Sequence, residues 1–70
     1  MSNKHYELKG IQACQWLARG LSIKETAAQL KMSRYAVSDQ IERVRRKYRC
    51  LTTYQLLVYL TQQNKIKIEI

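Results

Sequence analysis

Two capped segments separated by only two residues constrain this chain more than any other feature. Ser22 to Leu30 opens with Ser22-Ile23-Lys24-Glu25, a capping box in which the Ser side chain accepts from the backbone at Glu25 and Glu25 reaches back to Ser22. Ser33 caps a second segment that runs to Arg49. Only Lys31-Met32 stands between them. A linker that short makes the pair a tight helix-turn-helix rather than two independent helices. Ala27 and Ala28 are small enough to let the helices approach closely.

The second segment carries two unlike faces. Val37, Ile41, Val44 and Tyr48 recur at helical spacing and should face inward, with Met32 and Val37 placed to staple the helix start. The opposite face carries Tyr35, Ser38, Asp39, Glu42, Arg43 and Arg46. Five of the seven residues from Arg43 to Arg49 are basic.

The flanks also read as helices. Leu8, Ile11, Cys14, Leu17 and Ala18 share one face, so a first helix is expected from Glu7 or Leu8 to Arg19. Gly20 is suited to the left-handed position that closes it, and Trp16 borders its apolar face. Ile23, Ala27 and Leu30 form the buried stripe of the second helix. A fourth helix should begin after Thr52, where Thr52-Thr53-Tyr54-Gln55 is another capping box and Leu51 with Leu56 another staple. Leu56, Leu57 and Leu60 are expected in the core. That leaves Tyr54, Val58 and Thr61 as a partly exposed apolar rim or a subunit interface. From Asn64 to Ile70 the alternation of Lys and Ile with one Glu favours extended structure, read here as a loosely packed or frayed end. The expected fold class is therefore all-α, four helices in one domain over residues 1–70. Its core spans about 6–63, with tails at 1–5 and 64–70.

Thirteen Lys and Arg against five Asp and Glu give a formal charge of +8 on 70 residues. Clustered charge of this size points to a polyanion. Nucleic acid is the first candidate and an anionic membrane surface the second. The basic helix has too narrow an apolar stripe to insert into lipid. The longest apolar run, Leu56 to Leu60, is far too short to span a bilayer, so a cytoplasmic, nucleoid-associated protein is expected. Cys14, Cys50 and His5 match no ligand spacing and no catalytic pair, so no metal, cofactor or enzymatic activity is expected.

The order of these features resembles the LuxR/GerE-type helix-turn-helix domain, from about Tyr6 to Tyr59. Trp16-Leu17-Ala18-Arg19-Gly20-Leu21-Ser22-Ile23-Lys24-Glu25-Thr26-Ala27 is similar to the family's "wlA-x-G-x-s-x-k-E-I-A". Leu30-Lys31-Met32-Ser33 follows "L-g-i-S", Ala36-Val37 falls at "T-V", and Val44 to Tyr48 at "i-x-x-K-L". The length is similar to that of free-standing, GerE-like members. The resemblance implies a bacterial transcription regulator whose third helix, about 33–48, reads the major groove and whose fourth forms a dimer contact. Departures fall at Glu7 and Gly10, where the family caps its first helix with Thr and Glu. Others are Thr26 for Ile, Lys31 for Gly, Ala36 for Thr and Arg49 for Gly. Ser38, Asp39 and Glu42 stand where many members carry Lys, Val and a basic residue.

On that reading Arg34, Tyr35, Ser38, Asp39, Glu42 and Arg46 are the candidates for reading bases in double-stranded DNA. Ser22, Lys24, Arg43, Arg45, Lys47 and Arg49 are the candidates for holding phosphates. Six phosphate contacts would give a log K against log salt slope of about −5. Asp39 lies four residues before Arg43 and Glu42 four before Arg46, so each acid can pair with its arginine. Such pairs either position the arginines or only stabilise the helix. Tyr54, Val58 and Thr61 are the candidate homodimer interface. The competing reading is a helical module that heterodimerises with another regulator, and RNA polymerase is a further conceivable partner.

Overall fold

The computed structural model describes the backbone of residues 3–68 and the side chains of residues 8–68. Among the described residues there are four α-helices and no strand: α1 (Asn3–Ala18), α2 (Ile23–Leu30), α3 (Arg34–Lys47) and α4 (Thr53–Gln62). The chain is all-α, as the periodicity predicts.

The caps explain where the later helices start. The Ser22 hydroxyl accepts from Glu25 N–H at 3.1 Å, and the Glu25 carboxylate accepts from Ser22 N–H at 2.8 Å, completing the box. Ser33 accepts from Ala36 N–H at 3.0 Å and Thr52 from Gln55 N–H at 3.1 Å. The Gln55 side chain reaches back one residue further than a capping box requires, to Leu51 N–H at 2.7 Å. Each bond satisfies an amide that the first turn leaves without a partner.

All four helices stop by the same device. One residue turns left-handed, its N–H bonds back three residues, and the next N–H bonds back five. At Gly20 these bonds go to Leu17 and Trp16 carbonyls, and at Lys31 to Ala28 and Ala27. At Arg49 they go to Arg46 and Arg45, and at Asn64 to Thr61 and Leu60. The φ angles are +96°, +56°, +58° and +60° in that order. Lys31 and Arg49, where the resembled family has Gly, therefore adopt glycine's conformation at a steric cost.

The core lies where α3 is crossed by the other helices. Val37, Ile41 and Val44 are buried, with the Tyr48 ring packed against Tyr59 of α4 at a centroid separation of 4.8 Å and a tilt of 37°. Leu56 and Leu60 of α4 are fully buried and Leu57 packs at the edge. Ala27 of α2 is buried with Ile23 and Leu30 beside it. Met32 is partly buried against the same cluster, to which Val37 belongs.

α1 differs from the sequence expectation. It starts at Asn3 rather than Glu7 or Leu8, so residues 3–5 are helix rather than tail, and it ends at Ala18 rather than Arg19. Of the expected face, Cys14 is buried and Ile11, Leu17 and Ala18 pack against the core, but Leu8 is 62% exposed, and the most deeply buried positions are Gly10, Ala13 and Cys14. The reason is the close approach of α3. A Cβ built on Gly10 would lie 2.3 Å from Val44 Cγ2 and 2.9 Å from the Gln40 carbonyl oxygen. Only small residues fit at that crossing, and they carry little hydrophobic signal. The side chains of His5 and Glu7 lie outside the described residues.

Two further expectations are corrected. Leu51 is 80% exposed, so it does not staple onto Leu56. The end of the chain is not frayed through residue 68: Ile66 is buried in the core. Lys67 is held from both sides by Gln15, whose amide donates to Lys67 O at 2.7 Å and accepts from Lys67 N–H at 2.9 Å. That amide supplies the backbone partners a neighbouring strand would otherwise provide. Residues 69–70 lie outside the described part.

Candidate nucleic-acid interface

α3 is anchored by its inward stripe and leaves its opposite face exposed. Tyr35, Ser38, Asp39, Arg43 and Arg46 lie exposed along that face, and Glu42 is half-buried among them. Their spacing of three and four residues makes one continuous strip. Arg34 is exposed at the head of the helix, its guanidinium 5.8 Å from the Tyr35 ring centroid.

Both acids on this strip are paired. Asp39 accepts from Arg43 Nε at 2.8 Å. Glu42 Oε2 lies 3.4 Å from Arg46 Nη2, and the same carboxylate takes Arg45 on both oxygens, Nε to Oε1 at 3.3 Å and Nη2 to Oε2. The Asp39–Arg43 and Glu42–Arg46 pairs are those the i,i+4 spacing predicts, whereas the Arg45 pair at i,i+3 was missed.

Arg45 differs from the other arginines of α3. Its side chain is 22% exposed against 75% for Arg46. Besides Glu42, its Nη1 donates to Cys50 O at 3.0 Å and Leu51 O at 3.1 Å. Its own carbonyl accepts from Cys50 N–H at 2.9 Å. Arg45 thus ties the α3–α4 turn together, and four of its five N–H donors are already engaged within the protein. The sequence signal was available: an arginine four residues before a left-handed turn is within reach of the carbonyls that follow it.

The remaining phosphate candidates are exposed. Ser22 and Lys24 lie at the start of α2, and Lys47 and Arg49 at the end of α3. The Ser22 oxygen accepts from Glu25 N–H, which leaves its O–H proton to donate elsewhere. Lys47 Nζ sits 5.8 Å from the Tyr48 ring centroid. The basic last turn of α3, Arg45 to Lys47, also complements the negative end of the helix dipole.

On α4, Tyr54 is 75% exposed while Val58 and Thr61 are half-buried. The Thr61 hydroxyl donates to Leu57 O at 2.8 Å. Leu51, just before α4, is 80% exposed as well.

Cys14 and Cys50 are free thiols, and burial pushes the Cys14 thiol up to about 12, with Cys50 adding to the shift. Among the described residues, no group of three His, Cys, Asp or Glu is placed to hold a metal ion. No helix there is long and apolar enough to cross a membrane. Comparison with protein-family models, with curated proteins and with solved structures gave no match.

Proposed function

We propose that this chain is a DNA-binding transcription regulator with a helix-turn-helix of the LuxR/GerE type, α3 lying in the major groove. The observation that carries the reading is α3 itself. One stripe fixes it in the core, and the opposite strip leaves Arg34, Tyr35, Ser38, Asp39 and Arg46 exposed with Glu42 between them. α2 and α3 are joined through Lys31, Met32 and Ser33, a turn of the length such domains use.

In this arrangement the outward strip of α3, from Arg34 to Arg46, meets the base edges. Lys24, Arg43, Lys47 and Arg49 hold phosphates on either side, with the N–H groups at the start of α2 beside Ser22. Arg45 acts from the protein side, holding the turn rather than the backbone of DNA. A module of 8.3 kDa covers little DNA, so two copies joined through α4 at Tyr54, Val58 and Thr61 would bind a two-fold site.

The exposed Leu51 and Tyr54 at the start of α4 favour one other reading, a module that pairs with another regulator. A band-shift titration with mixed genomic fragments at low salt separates the two. DNA binding predicts a shift that is lost in the Arg43→Ala/Arg46→Ala double variant. Absence of any shift with the unmodified protein rejects the DNA-binding reading and leaves the pairing module.

A further inference from the structure

The outward strip of α3 contains two carboxylates, Asp39 and Glu42, and a carboxylate is unfavourable near phosphates unless something compensates it. Glu42 is compensated twice. Arg45 grips both of its oxygens from the protein side, and Arg46 approaches Oε2 at 3.4 Å from the solvent side. Arg45 is fixed in turn by the Cys50 and Leu51 carbonyls. The carboxylate is therefore neutralised and held before any ligand arrives, on the strip that would face the bases.

Its remaining acceptor capacity defines what it can read. Two arginine nitrogens address Oε2 and one, at 3.3 Å, addresses Oε1. Oε1 keeps a lone pair for one more donor. In the major groove only cytosine N4 and adenine N6 offer N–H donors. Adenine N6 lies beside the N7 acceptor, which repels a carboxylate. Cytosine N4 has no acceptor beside it on its own base. The guanine opposite presents O6 and N7, which suit the exposed guanidinium of Arg46.

We propose that Glu42 and Arg46, braced from behind by Arg45, select a C·G base pair in the bound DNA. Glu42 accepts from cytosine N4 and Arg46 donates to the guanine. Arg45 is a positioning residue that touches no base. The inference rests on the DNA-reading function proposed above.

Selection of bound sites from a random duplex library, with the unmodified protein and two variants, tests it. The unmodified protein should enrich a cytosine at one fixed position of each half-site. Glu42→Gln keeps the side-chain length but adds a donor, and an amide prefers adenine N6 and N7. It should therefore replace that cytosine by adenine, with a change in base preference of roughly 10- to 100-fold. Arg45→Met should weaken the preference at that position alone while the other selected positions persist. A structural role for Arg45 would lower thermal stability without singling out one base. If Arg45→Met does not fold, the Glu42→Gln result decides. Sites selected by the unmodified protein that Glu42→Gln leaves unchanged would overturn the base assignment and keep the DNA-binding function. Failure to enrich any sequence, where duplex DNA is still bound, also overturns the base assignment. Failure to bind DNA at all overturns both.

Discussion

Gly10→Ala is a sensitive probe of how α3 is held. In a solvent-facing helix interior this substitution stabilises by about 1 kcal/mol, because alanine restricts the unfolded chain and glycine does not. Here the added Cβ would meet Val44 Cγ2 at 2.3 Å and the Gln40 carbonyl oxygen at 2.9 Å. The first is about 1.2 Å short of an ordinary carbon–carbon contact of about 3.5 Å. Val44 is buried and cannot swing into solvent, and the Gln40 oxygen belongs to the backbone of α3. The two helices must move apart, and overpacking of this kind costs about 1–3 kcal/mol, sometimes more. A clash with both a buried side chain and backbone puts the cost in the upper part of that range, about 2–3 kcal/mol, so that after the propensity gain the net expectation is a destabilisation of about 1–2 kcal/mol. At about 4–8 °C per kcal/mol for a domain this small, Tm should fall by roughly 5–15 °C. Urea unfolding followed by circular dichroism measures the same quantity as a lower midpoint at unchanged slope. In the Gly10→Ala/Val44→Ala double variant the two costs should not add, because removing the Val44 methyls relieves the closer clash. A Gly10→Ala protein as stable as the parent, or more stable, would refute the close crossing of α1 and α3.

Four other outcomes follow from particular residues. Thr26 is fully buried and its hydroxyl oxygen has no hydrogen-bond partner, so Thr26→Val should raise stability by about 1–2 kcal/mol in the same urea assay. Arg49 holds φ at +58°, so Arg49→Gly should stabilise the fold by about 1 kcal/mol while weakening DNA affinity and reducing the salt slope by about 1. The Cys14 thiol is raised from 9.0 to about 12 by burial and by Cys50. Below pH about 9 both folded and unfolded chains keep that proton, and above it only the unfolded chain ionises readily. Stability should therefore fall between pH about 9 and 12, and less steeply in Cys14→Ala. Tyr54 is exposed at the start of α4, at the proposed dimer contact, so Tyr54→Asp should remain folded yet sediment as a monomer and bind a two-fold site more weakly.

The parts of the fold written in local chemistry were legible. Ser22, Ser33 and Thr52 cap the helices that their spacing predicts, because a cap and its amide lie three residues apart. The inward stripe of α3 was legible for the same reason: it repeats within one helix. What was not legible depends on distant partners. The face α1 turns inward is set by how closely α3 passes Gly10, which periodicity weights as neither apolar nor polar. Ile66 is buried because Gln15, 52 residues from Lys67, holds the chain end against α1. In the candidate interface, the exposed strip and its i,i+4 pairs were read from spacing alone. The turning inward of Arg45 was signalled only by its place four residues before the turn; which carbonyls it takes depends on where those of Cys50 and Leu51 point once the chain has turned at Arg49.

The outward strip of α3, flanked by exposed cations, is proposed to bind duplex DNA. Affinity measured by fluorescence anisotropy across a salt series tests it most directly. With Arg45 committed to the turn, the proposal leaves Lys24, Arg43, Lys47 and Arg49 as the cations that would contact phosphates. Four cations at about 0.9 each predict a log K against log salt slope of about −3.6 per copy. Arg43→Ala should make that slope shallower by about 1, and Arg45→Met should leave it unchanged. A protein that shows no binding at the lowest salt, or whose affinity is insensitive to salt, would contradict the account.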